Sequence, residues 1–359
     1  MIPYEGKNRW TVNYLKAVRF DHPDWTPCHV SIMPATWMKY REQLEDVVLA
    51  HPKLFPGLQR GKKDFDANPN PTYQEGRCTD CWSNVWENIE PGLAGQVVVH
   101  PLADWSDVDD WTPPDPETDD RFGPRDWDAV ARRLSEAKRR GDLAMGNPLP
   151  HGFFYMLLYY LRGFENLMVD LATDEPHLGE LIRIIERYNV AVIGRTMDCG
   201  AEMIALGEDL GLQRSLPISP AMWRKWIKPS YERMMGPCRD RGVPVRFHTD
   251  GHVLEIIPDL IEAGVTVLNP QIRANGLAGL QAHAKGKVAL DQDLDRQLFP
   301  FATPSQIDDH IGEVFEGLHD PAGGLILYAE VEPDVPPQSV DAICTALERV
   351  CKPPEPQEA

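Results

Sequence analysis

The stretch VPVRFHTDGHVLEIIPDLIEAGVTVLNPQ, residues 243–271, holds the pattern that decides the fold. Residues 243–248 and 265–269 are short runs rich in β-branched side chains. Between them, at residues 253–263, apolar side chains recur at three- and four-residue spacing. This pattern predicts a strand, a helix and a second strand. A helix that joins two strands requires parallel pairing, so the outcomes are a doubly wound sheet or a (β/α)₈ barrel.

The same alternation extends outward from this stretch along the chain. Eight runs are predicted strands: residues 28–32, 96–100, 143–146, 203–206, 243–248, 265–269, 287–290 and 325–328. The helical pattern falls at residues 177–197, 221–241, 253–263, 304–318 and 337–350. Pro220 and Pro304, each preceded by Ser or Thr, mark helix starts. Eight strands is the number that closes a barrel.

The length of 359 residues is compatible with one large α/β domain. We expect a single domain over residues 1–351, with a disordered tail at residues 352–359. Loop insertions are expected in the N-terminal third, where residues 50–80 and 104–128 are rich in Gly, Pro, Asn or Asp.

The formal net charge of −19 argues against nucleic acid or an acidic membrane surface as a partner. The longest apolar stretch, residues 153–161, is about half of a membrane span, and the first twenty residues do not resemble a secretion signal. We therefore expect a cytoplasmic protein with reduced thiols. Cys78 and Cys81 have the spacing of half a zinc ribbon, but no second pair follows, which favours a structural role.

Polar residues follow most of the predicted strands, at the end where barrel enzymes carry their active sites. They are Asn147, Glu208, Asp209, His248, Asp250, Asn269, Gln271, the stretch from Asp291 to Asp295, Glu330 and Glu332. One histidine among several carboxylates is typical of a hard-metal or acid/base site. Each of these residues could instead cap a helix or bind water.

Several motifs, taken in order, resemble the uroporphyrinogen decarboxylase superfamily, which includes cobamide-dependent methyltransferases. They are TDCWS at 79–83 with Trp86, HPLAD at 100–104, GFEN at 163–166 with Asp170-Leu and Asp174-Glu-Pro, GEDLG at 207–211 with Ile218-Ser-Pro, FHTDG at 247–251, IPDLIEAGV at 257–265 with Leu268-Asn-Pro, and Val335-Pro-Pro. No single motif is specific, but the ordered series is. The resemblance implies a (β/α)₈ TIM-type barrel with its site at the carboxyl ends of the strands.

Departures from the superfamily pattern bear on function. The segment after the first strand lacks the arginines that bind a tetrapyrrole's carboxylates, since residues 31–38 read SIMPATWM. The methyltransferase branch holds zinc with a His-x-Cys element and a later cysteine. Here Asp250 stands at the first thiolate position and Glu330 near the last strand. Carboxylates favour harder ions, so Mn, Fe or a carboxylate-ligated Zn is the expected divalent metal, and a metal-free site stays open.

The leading interpretation is a methyltransferase-like enzyme that passes a methyl group from a small methylated or methoxylated compound to a corrinoid on a partner protein. The alternatives are a decarboxylase or lyase acting on a small carboxylic acid, and a non-catalytic ligand-binding barrel; a homodimer stays open. The predicted catalytic residues are His248, Asp209 and Asp250, and the predicted metal ligands are His248, Asp250 and Glu330. The predicted substrate contacts are Trp82, Asn147, Glu208, Asn269 and Gln271.

Overall fold

The computed structural model describes residues 2–68 and 70–355. Residues 356–359, half of the predicted disordered tail, lie outside the described residues. The described chain divides into two compact units. The first unit comprises residues 2–12, 77–87 and 96–269, and the second comprises residues 13–68, 70–76, 88–95 and 270–355. A single domain over residues 1–351 stays a prediction.

Strands and helices alternate through most of the described chain. The strands are β1 Cys28–Ile32, β2 Gly76–Thr79, β3 Val85–Asn88, β4 Gln96–Val99, β5 Asp119–Asp120, β6 Gly123–Pro124, β7 Met145–Gly146, β8 Met203–Asp209, β9 Val245–Asp250, β10 Val267–Pro270, β11 Ala289–Asp293 and β12 Leu325–Val331. The helices are α1 Arg9–Val18, α2 Pro34–Ala50, α3 Trp127–Arg139, α4 Tyr155–Arg162, α5 Phe164–Thr173, α6 Pro176–Asp198, α7 Pro220–Trp226, α8 Lys228–Asp240, α9 Ile257–Ala263, α10 Ile272–Asn275, α11 Leu277–His283, α12 Pro304–Leu318 and α13 Pro337–Cys351. Short 3₁₀ turns occur at Pro71–Tyr73, Trp105–Asp109 and Leu254–Ile256.

Strands β10, β9, β8 and β7 are neighbours in that order in the first unit. The pairs β7–β8 and β8–β9 are parallel, and their register sets Gly207 opposite His248 and Asp209 opposite Asp250. Burial alternates along both strands, so Leu206 and other large side chains form a closed face. Gly207, Asp209, His248 and Asp250 lie on the opposite, more open face.

The second unit holds β1, β12 and β11 as parallel neighbours in that order. Strand β12 is buried almost throughout, and its pairing sets Ser31 opposite Glu330. Helix α13 packs against α2 and α12 in this unit, while in the first unit α8 packs against α6 and α9. Helix α13 also contacts β1 and β12, and α4 contacts β8, as expected where helices cover parallel strands.

Within residues 2–68 and 70–355, seven of the eight predicted barrel strands are present as strands of parallel sheet. The prediction for residues 96–100 was wrong in kind. This segment is β4, which pairs antiparallel with β3 in a separate three-stranded sheet. A closed eight-stranded barrel therefore stays a prediction. Most of the observed strands also end later than predicted, because the ladders continue through the polar residues that the sequence pattern treats as strand ends.

Helix starts follow the predicted chemistry. Thr303 and Gln306 form a reciprocal capping box at α12, and the Ser219 hydroxyl accepts the Met222 amide at 3.2 Å at α7. The helix predicted over residues 221–241 breaks at Ile227, because Pro229 lies at the start of α8, where its ring is incompatible with a continuing helix. Among the described residues, no helix is long and apolar enough to cross a membrane.

The chain makes a close backbone approach just beyond β8 and β9. Gly211 donates its amide to the Asp250 carbonyl at 3.1 Å, and Gly251 has a φ of +83°. A Cβ on Gly251 would lie 2.6 Å from the Gly211 Cα and still closer to its carbonyl. Both glycines are therefore needed for the two strand ends to meet.

Replacing Gly251 by Ala should destabilise the fold more than the backbone conformation alone explains. Gly286 is a matched control, since its φ is +72° and a Cβ there meets no atom within 4 Å. We expect Gly286→Ala to cost about 1 kcal/mol and Gly251→Ala about 3 kcal/mol, measured by urea unfolding. Equal costs for the two substitutions would contradict the close approach.

Candidate functional site

Three side chains converge on the open face of β8 and β9 in the first unit. The Nε2 atom of His151 lies 3.1 Å from Oδ1 of Asp209, and the rings of His151 and His248 are 5.6 Å apart between centroids. One ligand atom from each of the three residues lies within 4.8 Å of the other two. We call His151, Asp209 and His248 the His–Asp–His trio.

A loop that bonds to β8 places His151 in the trio. The Gly152 amide donates to the Gly207 carbonyl at 2.8 Å, which holds the loop against the strand. Gly207 has no side chain, and a Cβ there would lie 2.9 Å from Cδ2 of His151 and 3.6 Å from Cβ of His248. The missing side chain is therefore what lets the His151 ring lie across β8.

The tautomer of His248 is set by a neighbouring strand. Its Nδ1–H donates to Oδ1 of Asn269 at 2.8 Å, and the same oxygen accepts from Arg246 at 2.9 Å. Nε2 of His248 then faces the site, 3.2 Å from Oδ1 of Asp250. A ring nitrogen oriented by a hydrogen bond through the other nitrogen is the arrangement found in metal-bound and acid/base histidines.

Glu208 was predicted to contact substrate, but its side chain faces away from the trio. It is fully buried and accepts hydrogen bonds from the backbone amides of Phe154 and Tyr155 and from the Tyr231 hydroxyl. Burial raises the pKa of Glu208 to about 7, against the lowering effect of these donors. Glu208 therefore anchors the start of α4, and through it the loop that carries His151.

Two other predicted substrate contacts lie elsewhere in the first unit. Trp82 is buried, stacks on Trp111 at 6.1 Å and meets Tyr188 edge-on at 5.0 Å. Asn147 lines a pocket of about 240 Å³ together with Arg125. Trp82 thus contributes to packing, and Asn147 faces a pocket that does not include the trio.

The predicted metal ligand Glu330 lies in the second unit and has strong partners there. It accepts from Arg296 at 2.6 Å and from the Tyr328 hydroxyl at 2.5 Å. Burial and the nearby Glu330 raise the pKa of Glu332 to about 7. Gln271, also in this unit, forms a parallel bridge with Asp293. The role of Glu330 as a metal ligand stays a prediction.

His151 was not among the site residues predicted from the sequence, unlike His248, Asp209 and Asp250. The predicted strand at residues 143–146 is followed first by Asn147, and only that residue was taken as a candidate. His151 comes four residues later in a Pro-His-Gly turn, LPHG at 149–152. The Gly after a histidine near a strand end was the available signal.

The donor atoms of the trio suit a divalent metal ion. Metal–ligand bonds of about 2.0–2.1 Å to nitrogen and oxygen place ligand atoms at most about 4.2 Å apart, so a small rotation of the side chains completes a site. Two imidazoles and a carboxylate are a ligand set used for zinc, manganese and iron.

The buried Glu208 predicts a pH-dependent stability. Its pKa is raised from 4.5 to about 7, so its contribution is present below about pH 4.5 and is lost as pH rises through about 7. Glu208→Gln removes the titratable group, so in the presence of a chelator the free energy of unfolding of this variant minus that of the wild type should rise as pH rises through about 7. Between acidic pH and a pH well above 7, we expect this difference in free energy of unfolding to change by about 3 kcal/mol. The control is Glu165→Gln, at an exposed position, whose free energy of unfolding should depend on pH as that of the wild type does. If Glu208→Gln shows the same pH dependence as the wild type, the raised pKa of Glu208 is contradicted.

The fold of this chain also occurs in a solved protein. A solved methyltransferase from Methanosarcina mazei has a TM-score of 0.60 at 14% identity, with 95% of this chain and 98% of that chain covered. At this identity the likeness shows the fold alone. A dihydropteroate synthase from Xanthomonas albilineans, solved with 4-aminobenzoic acid, has a TM-score of 0.30 at 15% identity over 46% of this chain and 62% of its own, too low to carry an argument. No curated protein matches the chain.

The sequence profile of the family described as uroporphyrinogen decarboxylase (URO-D) matches residues 89–350, which is most of the chain. The match spans β8, β9 and the trio, and it confirms the resemblance carried by the ordered motifs. This chain belongs to the uroporphyrinogen decarboxylase family.

Proposed function

We propose that this protein is an enzyme that moves a methyl group from a small methylated or methoxylated compound to a reduced corrinoid or similar acceptor on a partner protein, assisted by a divalent metal ion. The observation that carries the proposal is the His–Asp–His trio on the open face of β8 and β9. Family membership supports an enzyme, and the methyltransferase with the same fold supports the reaction class.

The bond between the methyl carbon and its heteroatom breaks, and the methyl group passes, without its bonding pair, to the nucleophilic acceptor. The heteroatom keeps the electron pair and takes up a proton. The chain must therefore stabilise negative charge on the leaving group and deliver a proton to it.

His151, Asp209 and His248 would hold the metal ion. A bound divalent ion would supply a Lewis acid that stabilises the developing charge on the leaving heteroatom. Asn269 keeps His248 in the tautomer whose Nε2 faces the site, and Gly207 leaves room for His151. A metal held by a carboxylate in place of a thiolate is a harder Lewis acid. It suits a leaving group that departs through oxygen or nitrogen better than one that departs through sulfur.

Asp250 is proposed to hold the proton. Its Oδ1 lies 3.2 Å from Nε2 of His248, and its backbone is paired directly with that of Asp209. About a third of its side chain is exposed, so it can reach a substrate atom while staying beside the trio. Proton delivery from a group at this position contributes roughly 10²–10⁴-fold to a rate.

One observation favours a second candidate. His151–Asp209 and His248–Asp250 are two imidazole–carboxylate pairs, at 3.1 and 3.2 Å, and such pairs can serve as acid and base without a metal. A decarboxylase or lyase acting on a small carboxylic acid would use the same four residues. Removal of metal separates the two candidates, since acid/base chemistry alone would survive it.

The test is formation of methylcobalamin from reduced cobalamin, followed by absorbance, with a panel of methoxylated and methylated compounds as donors. We expect activity that a chelator abolishes and that Zn²⁺, Mn²⁺ or anaerobic Fe²⁺ restores. His151→Ala and His248→Ala should lower the rate at least about 100-fold. His177→Ala is the matched control, because that exposed histidine pairs with Glu175 outside the trio.

Three results would overturn the proposal: no methyl transfer with any donor, full activity in the chelated protein, or full activity in His151→Ala. Activity that survives chelation but requires His248 and Asp250 would favour the acid/base candidate.

A further inference from the structure

Arg121 lies close to the trio but plays no part in the function proposed above. It is the first residue of the turn between β5 and β6, and its carbonyl accepts the Cys81 amide at 2.8 Å. Its guanidinium Nη1 is 3.5 Å from the backbone carbonyl of His151. The side chain is partly buried and keeps part of its surface exposed.

The guanidinium rests on an aromatic platform. It lies 4.5 Å from the ring centroid of Trp86, and that ring is itself fixed. Trp86 is buried, donates its indole N–H to Asp80 at 2.8 Å and meets Tyr160 edge-on at 4.9 Å. A guanidinium stacked on a ring face keeps its N–H donors directed outward from its edges.

No carboxylate of the described residues forms an ion pair with Arg121. Asp80, which holds the Trp86 ring, already accepts hydrogen bonds from the backbone amides of Trp82 and Asn84 and from the side chains of Asn84 and Trp86. Buried Arg162 shows the usual alternative, since it pairs with Asp170 at 2.7 Å.

We propose that Arg121 binds the carboxylate of the substrate, so that the methyl donor is a small monocarboxylic acid. This inference rests on the proposed function and names the substrate class of the same site. A planar carboxylate matches the two parallel donors of a guanidinium edge. Arg121 supplies one guanidinium, and the open face of β8 and β9 carries the carboxylates Asp209 and Asp250, so the site suits a single carboxylate and repels a polycarboxylate.

The test is direct binding of charge-matched pairs, measured by calorimetry. The probes are acetate, methoxyacetate, benzoate and para-methoxybenzoate, each compared with its neutral primary amide, together with inorganic phosphate. The proteins are the wild type, Arg121→Gln, Arg121→Lys and the control Arg139→Gln, which changes an exposed arginine of α3. Binding of the amides checks that each variant keeps its fold and pocket.

We expect at least one carboxylate to bind the wild type and Arg139→Gln about 10- to 100-fold more tightly than its amide. Arg121→Gln should abolish that preference and leave amide binding unchanged. Arg121→Lys should keep part of it, because a lysine retains the charge but loses the two-donor edge. If Arg121→Gln does not fold, the Lys variant alone decides.

An equal preference in the wild type and the Arg121 variants would overturn the inference, as would no preference for any carboxylate or tighter binding of phosphate. Its failure is distinguishable from failure of the proposed function. Methyl transfer from amide donors as fast as from the acids would leave the enzyme assignment intact and remove the role of Arg121. Carboxylate binding through Arg121 without any methyl transfer would support the role of Arg121 and overturn the enzyme assignment.

Discussion

The absence of a side chain at Gly207 is the constraint on which the rest of the site depends. Parallel pairing sets this residue directly opposite His248, and the His151 ring occupies the space that a Cβ would need. The bond from the Gly152 amide to the Gly207 carbonyl then fixes the loop at the same point of the strand. Strands β8 and β9 by themselves provide Asp209, His248 and Asp250 on this face. Gly207 makes room for His151, which completes the trio.

The two faces of β8 divide the work between neighbouring carboxyl groups. Asp209 points to the open face beside the trio, while Glu208 points to the closed face and receives donors from Phe154, Tyr155 and Tyr231. Glu208 holds the segment that follows His151, and His151 pairs with Asp209. The buried Glu208 therefore supports the position of the His151 partner of Asp209. This arrangement follows from strand alternation, which sends adjacent residues to opposite sides.

Much of the fold could be predicted because apolar runs and helical spacing are local properties of the chain. Helix α12 and strand β1 have the predicted bounds, and Pro229 explains where one long predicted helix breaks. The strand ends were harder, since a ladder through Asp209 or Asp250 depends on the neighbouring strand. The β4 segment has the composition of a barrel strand but pairs antiparallel with β3, which no local pattern reveals.

The candidate site was only partly predictable for the same reason. Asp209, His248 and Asp250 directly end apolar runs, so position along the chain identified them. His151 and Arg121 lie in loops, and their importance depends on the backbone that folds beside them: Gly207 for His151, and the stacked Trp86 for Arg121. Glu330 was named for its chemistry, and its partners Arg296 and Tyr328 become visible only in the structure.

The central claim is that the trio of His151, Asp209 and His248 binds a divalent metal ion, and X-ray absorption spectroscopy of the metal-loaded protein tests it most directly. The account predicts nitrogen and oxygen scatterers at about 2.0–2.1 Å, with the outer-shell signal of two imidazoles that falls to one in His151→Ala. A sulfur shell at about 2.3 Å, or a spectrum that His151→Ala leaves unchanged, would contradict it.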